Sequence, residues 1–115
     1  MGYYNNHRKL NVWKEAIQIA KAVYEVQRTF PKHETYGLCD QLRRASVSIS
    51  ANIAEGNARH GTNDRKRFFN IALSSLAEID SLLSLSVEIG YINQEELVII
   101  EERCELVSKM LNGLL

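Results

Sequence analysis

Apolar residues recur at helical spacing along almost the whole chain, and the pattern is interrupted at only three places. The breaks fall at Phe30-Pro31, at Gly61-Thr62-Asn63 and at Gly90. Proline cannot donate the helical hydrogen bond and disfavours helical geometry in the residue before it, so Pro31 ends the first segment. Four helices follow, over about residues 11–30, 35–58, 62–89 and 93–113, with residues 1–9 as a polar tail. Asn11, Thr35 and Thr62 are the expected N-caps of the first three. Asn93, with Glu96 three residues on, forms a capping box for the fourth. Gly90 sits where the third helix needs a left-handed ending, with Tyr91 as its apolar partner.

The first stripe is Trp13, Ala16, Ala20, Val23 and Phe30, with Gln27 as a polar interruption. The second is Leu38, Leu42, Ala45, Ile49 and Ile53. The third runs Phe69, Ala72, Leu76, Ile79, Leu83 and Ser86, alternating three and four like a coiled-coil seam. The fourth is Leu97, Ile100, Cys104, Val107, Leu111 and Leu114. Four amphipathic helices with short breaks predict an all-α chain, an antiparallel up-down-up-down four-helix bundle forming one domain over 1–115. Further apolar residues widen three stripes: Val12, Ile19 and Val26; Leu73, Leu82, Leu85 and Ile89; Ile99, Leu106 and Met110. A lone bundle needs roughly a 100° apolar face per helix. The excess predicts a second buried surface and therefore a homo-oligomer.

Net charge is zero, but the sum hides a split. Residues 1–70 hold twelve Lys/Arg against six Asp/Glu, a balance of +6, and residues 71–115 hold two against eight, a balance of −6. The expectation is one basic and one acidic pole, suited to an anionic partner or to head-to-tail contact between copies. The opening MGYYNNHRKL lacks the apolar stretch of a secretory signal, and Leu97 to Ile100 is the longest aliphatic run near the C-terminus. A cytoplasmic protein without membrane contact is expected, with Cys39 and Cys104 as reduced core thiols.

Catalytic chemistry finds no support in these residues. No Glu is followed by His three residues on, as an inward-facing di-iron site requires, and His7, His33 and His60 all fall in predicted termini or loops. Two cysteines do not suggest a zinc site, and no glycine spacing suggests a phosphate loop. The serines of the second and third helices suit close packing and back-bonding to carbonyls one turn earlier. Glu101, Glu102 and Glu105 read as a solvated acidic face. No metal, no cofactor and no enzymatic activity are expected.

The second helix is the unusual one, its stretch from Gln41 to Arg59 carrying paired arginines, a run of small hydroxyl residues and an Asn52…Glu55-Gly56 ending. Arg44, Ser48, Ala51 and Glu55 share one face, and Glu55 and Arg59 stand one turn apart. Arg43, Arg44, Ser48, Asn52 and Glu55 are its assembly candidates.

Several of its residues belong to a longer ordered set. The run Leu10-x-Val12-Trp13 with Ala16, the Phe30-Pro31 junction, Tyr36-Gly37-Leu38 and Gln41-Leu42-Arg43-Arg44-Ala45 form one part. Ser48-Ile49-x-x-Asn52-Ile53-Ala54-Glu55-Gly56, Arg59, Phe68/Phe69, Ala72, Ser75-Leu76-x-Glu78 and Gly90-Tyr91 form the rest. Together, over about residues 10 to 112, they resemble the bacterial four-helix-bundle proteins encoded in intervening sequences of large-subunit ribosomal RNA genes. They are similar also to the accessory variability determinant of diversity-generating retroelements. The resemblance implies a homopentameric barrel. For the retroelement branch it implies a basic surface that binds nucleic acid and a reverse transcriptase.

The expected function is a non-enzymatic oligomeric adaptor that binds RNA or DNA phosphates through its basic pole. The candidates are Arg8, Lys9 and Lys14, then Arg43 and Arg44, then Arg59, Arg65, Lys66 and Arg67. The last three open a helix, where positive side chains oppose the helix dipole. The alternative is a protein–protein scaffold whose polar second helix drives assembly without nucleic acid.

Overall fold

Four long helices take up the apolar stripes, with the breaks between them much as the spacing predicts. In the computed structural model, which describes residues 3–115, these are α1 (Asn11–Val26), α2 (Leu38–Ala58), α3 (Thr62–Glu88) and α4 (Gln94–Leu114). Each packs on its sequence neighbour and α4 closes against α1, giving a bundle 44 × 24 × 21 Å. Ser75 of α3 meets Ser48 of α2, and Arg65 meets Asn57, so these helices run antiparallel. The core is continuous through all four helices, with Ile19, Leu42, Ile49, Ile53, Phe69, Ile79, Leu83 and Leu111 fully buried.

The stripes of α2 and α3 are buried as the spacing predicts, and so is that of α4 except Leu114, which projects past the last core layer at 47% exposure. In α1 the buried line is Val12, Ala16, Ile19 and Val23, one position round from the expected one; Trp13 and Ala20 are half-buried. Adjacent apolar pairs at 12/13 and 19/20 fit either frame, and the position of α2 and α4 selects between them. Gln27 is buried in that line because its Oε1 accepts from Arg43 Nη1 at 3.3 Å.

The starts of the first three helices differ from expectation. Asn11 is already helical behind Leu10, and Thr62 behind Gly61, with no side-chain cap on either. Helix α1 stops at Val26, four residues early, and short 3-10 turns over Gln27–Thr29 and Lys32–Glu34 lead into α2. Thr35 does not cap α2, because its hydroxyl donates back to Lys32 O at 2.8 Å. Glu34 takes that role, its Oε1 accepting from Leu38 N at 3.3 Å. Of the predicted polar tail, residues 1 and 2 lie outside the described residues; Tyr3–Lys9 form a 3-10 helix packed on α2, and the His7 ring stands edge-on to Trp13 at 5.0 Å. The two signals between α3 and α4 hold. Gly90 (φ 86°) ends α3 in a Schellman turn, with Tyr91 N bonded to Ser86 O and Gly90 N to Val87 O. Asn93 and Glu96 form the reciprocal capping box.

The end of the bundle where α3 turns into α4 is tied to the α1–α2 connection. Tyr91 OH donates to Glu34 Oε2 at 2.7 Å, and its ring packs on Phe30 with centroids 5.1 Å apart. The Tyr91 hydroxyl, then the Leu38 amide, then the nearby His33 hold the Glu34 carboxyl below its usual range, against a smaller opposing effect of burial. A carboxyl whose folded pKa is depressed contributes stability above its unfolded value of about 4.3, and loses it as pH falls through the folded value. The melting-temperature gap between wild type and Glu34→Ala is therefore expected to shrink as pH falls from about 5 to about 3. A gap that widened in that range would contradict the assignment.

Helix α3 alone among the described helices reaches the length and mean hydropathy (1.3) of a membrane span. Its apolar stripe is spent here on the bundle core. Both cysteines are free and buried, and desolvation pushes the Cys104 thiol up to about 12, which leaves it unreactive.

Candidate nucleic-acid interface

The candidate cations divide between the two ends of the bundle. Arg43 and Arg44 lie in the second turn of α2, about 20 Å along the helix from its C-terminal end. Arg43 is a brace: Nη2 donates to Thr35 O at 3.0 Å and Nη1 to Gln27, binding the α1–α2 connection to α2. Arg44 extends into solvent at 81% exposure and pairs with Asp40 one turn back, Nε to Oδ2 3.0 Å. The remaining seven belong to the opposite end, because antiparallel pairing places the start of α1 beside the α2–α3 corner.

At that corner the chain turns in only three residues, Arg59 to Gly61, between long helices. The turn is made possible by Gly56, where a Cβ would stand 2.7 Å from Phe69 Cε1 and 3.2 Å from Arg65 O. Arg65 Nη1 donates to Asn57 O at 3.1 Å and to Arg59 O at 3.4 Å. It thus neutralises the carbonyl end of α2 rather than opposing the N-terminus of α3, which accounts for its position. Arg67 is likewise offset by Asp64 in the same first turn, Nη2 to Oδ1 3.1 Å.

Around Phe68 these charges form a stack. The guanidinium carbons of Arg59 and Arg67 lie 4.8 Å and 4.4 Å from its ring centroid. Arg59 also reaches Glu55 at 2.9 Å and Asp64 at 3.6 Å, so that Asp64 links both arginines. Exposed pairs of this kind add little stability but hold the guanidinium planes in place. Lys66, next to them, and Lys14, at the start of α1, are exposed and make no ion pair among the described residues. Arg8 and Lys9, on the N-terminal 3-10 helix, are exposed too.

The assembly candidates of α2 are partly turned inward. Ser75 Oγ donates to Ser48 Oγ at 2.9 Å, and Asn52 Nδ2 donates to the Ser48 hydroxyl and to Ser48 O at 2.8 Å. That node joins α2 to α3 within the bundle. Glu55 and Arg44 remain on the surface. Ser46 and Ser86, both fully buried, bond back to the carbonyls of Arg43 and Leu82, the back-bonding expected of them.

Sequence reasoning misses Asp64 and Phe68 as site residues. The signal that could find them is an aromatic residue one step off the α3 stripe, flanked by Arg67 and preceded by Arg59. No group of three or more metal-ligating side chains occurs among the described residues.

The model of the 23S rRNA-intervening sequence protein family matches residues 8–113. No curated protein matches the chain. Among solved structures, the fold matches a crystal structure of a protein with unknown function from the S23 ribosomal protein family of Bacteroides thetaiotaomicron. The TM-score is 0.79 at 24% identity, covering 89% of this chain and 95% of the other. With the family pattern running through all four helices, the chain belongs to the 23S rRNA-intervening sequence protein family.

Proposed function

We propose that this protein is a non-enzymatic, self-associating adaptor that holds RNA or DNA by its phosphates at the end where α1 begins and α2 turns into α3. The observation that carries the reading is the concentration of charge there. Residues 8–16 and 55–67 hold seven cations against three carboxylates (Glu15, Glu55 and Asp64), a balance of +4. Two of those arginines are already oriented on Phe68, so little side-chain freedom is lost when they meet a phosphate. Lys14 and Lys66 bring charge with no partner to give up. Guanidinium and ammonium groups dominate the described residues of this end, and contacts from them to phosphates carry little sequence preference.

Fluorescence anisotropy with a labelled RNA hairpin and a DNA duplex of equal length tests the reading. Four phosphate contacts, one for each unit of the charge balance, predict a log–log salt slope of about −3 to −4. That amounts to about a hundredfold loss of affinity between about 50 and 200 mM salt. Affinity indifferent to salt would contradict phosphate contact. No binding of either probe at about 50 mM, from a protein heavier than a monomer, would leave the scaffold alternative in its place. Exposed Leu85, Ile89, Ile99 and Leu106 favour the self-association that both readings share.

A further inference from the structure

A small group of cations lies at the opposite end of the bundle from the Phe68 stack, where α1 runs out and the connection leads into α2. A pocket of about 430 Å³ opens there, walled by Tyr24 and Phe30 and edged by Arg28, Lys32 and Arg43, with no Asp or Glu in its lining. That volume falls within the range of small-molecule sites, about 300–1,000 Å³.

These cations are only partly answered within the chain. Arg28 and Lys32 are exposed and make no ion pair among the described residues. Arg43 reaches Asp40 at 3.8 Å, but Arg44 holds that carboxylate closer, at 3.0 Å. Glu34, on the connection itself, is engaged by the Tyr91 hydroxyl and the Leu38 amide. Burial above all raises the pKa of the Cys39 thiol in the lining, against the lowering effect of Arg43, so the thiol stays neutral and adds no opposing charge.

Gln27 supplies an independent sign of a ligand. It lines the same pocket and is only 8% exposed. Its Oε1 accepts from Arg43 Nη1 at 3.3 Å, and because a guanidinium has only N–H groups to offer, the carboxamide cannot be turned the other way. Nε2 is therefore left as a buried donor with no hydrogen-bond partner among the described residues. A buried amide without an acceptor is costly, and an anion drawn in by the surrounding cations brings the missing oxygen.

A carboxylate would offer this set one charge and two oxygens. A phosphate monoester offers a charge of about −1.5 to −2 at pH 7 and three oxygens, which suits three cations and an amide better. Tyr24, 47% exposed, gives its organic part a ring to pack on.

We propose that this pocket binds a small phosphate monoester, with Arg28, Lys32, Arg43 and the Gln27 amide as donors to the phosphate and Tyr24 against the organic group. The site is separate from the phosphate contacts of the α2–α3 corner, and neither depends on the other.

An NMR titration of the full chain with phenyl phosphate, inorganic phosphate and phenylacetate at about 150 mM salt tests it. Phenyl phosphate should shift the backbone amides of Gln27, Lys32 and Arg43 and leave those of residues 59–67 in place. Inorganic phosphate, lacking the ring, and phenylacetate, lacking charge, should each bind about tenfold more weakly. Arg28→Gln/Lys32→Gln should weaken phenyl phosphate at least about tenfold. Gln27→Glu is the sharper variant: it keeps an acceptor for Arg43 but puts a negative charge where the amide donated, so binding should be lost while the helical circular dichroism stays. Lys14→Glu/Lys66→Glu, at the other end, should leave the affinity within about twofold. If Gln27→Glu fails to fold, the double variant, at exposed positions, decides alone. No shift with phenyl phosphate, shifts confined to residues 59–67, or affinity that survives the changes at 27, 28 and 32 would overturn the site. Inorganic phosphate bound as tightly as phenyl phosphate would overturn the monoester and leave a site for the free ion.

Discussion

Gly56→Ala is expected to destabilise the bundle by about 1–2 kcal/mol, although alanine is the better helix former. Gly56 is buried in the last turn of α2, and its missing side chain is the space that the Phe69 ring occupies. An added Cβ would stand 2.7 and 2.8 Å from two ring carbons and 3.2 Å from a backbone carbonyl of α3. Phe69 is only 1% exposed and has no open side to move into. Overpacking of this kind typically costs about 1–3 kcal/mol, against a gain of about 0.5–1 kcal/mol from helix propensity. For a chain of this size the net corresponds to a fall in Tm of roughly 5–10 °C. Gly56→Val, with two more carbons in the same space, should fall further.

A second variant identifies the cause. Phe69→Leu alone leaves a void and is itself destabilising, but it removes the ring that Gly56→Ala meets. The double variant should be more stable than the sum of the single effects by about 1 kcal/mol. Additive effects, or a Gly56→Ala protein that melts above wild type, would show that α2 and α3 do not approach as closely as the Gly56–Phe69 contact requires.

This contact also marks how far the sequence could be read. The α2 and α3 stripes, the Asn93–Glu96 box and the Gly90 ending depend on local spacing, and local spacing survives folding. The run of small residues in α2 announces close packing, but Gly56 and Phe69 are thirteen residues apart, and only the geometry of the turn shows that they collide. The start of α2 differs from its expected form because Thr35 has two hydrogen-bonding choices and takes the earlier carbonyl. Arg65 looks in sequence like charge placed against a helix dipole; the carbonyl end of the preceding helix, which it answers, is not visible in a linear reading. The +6/−6 split is legible, but the gathering of its basic excess at one end depends on the antiparallel pairing that sets the start of α1 beside the α2–α3 corner. The Phe68 stack combines both kinds of information: residue types plain in the sequence, at a distance set by the three-residue turn.

Reversing the two unpaired lysines at the basic end is expected to abolish most nucleic-acid affinity. In Lys14→Glu/Lys66→Glu two attractive charges become repulsive while the buried core is untouched, because both side chains are exposed. Affinity for RNA and DNA should fall on the order of a hundredfold at low salt. The salt slope should shallow by about two, one unit for each phosphate that is no longer engaged. Arg44→Gln removes a cation of comparable exposure, about 20 Å along α2 and already paired with Asp40, and should leave affinity within about twofold. Phe68→Leu separates charge from orientation. It keeps every cation but removes the ring that holds Arg59 and Arg67, so affinity should fall only several-fold with the slope unchanged. If Arg44→Gln weakened binding as much as the double reversal, the phosphate track would lie along the length of α2 rather than across the α2–α3 corner. If Phe68→Leu flattened the slope, the arginines would reach phosphate only while the ring holds them, and the stack rather than the two lysines would carry most of the contacts.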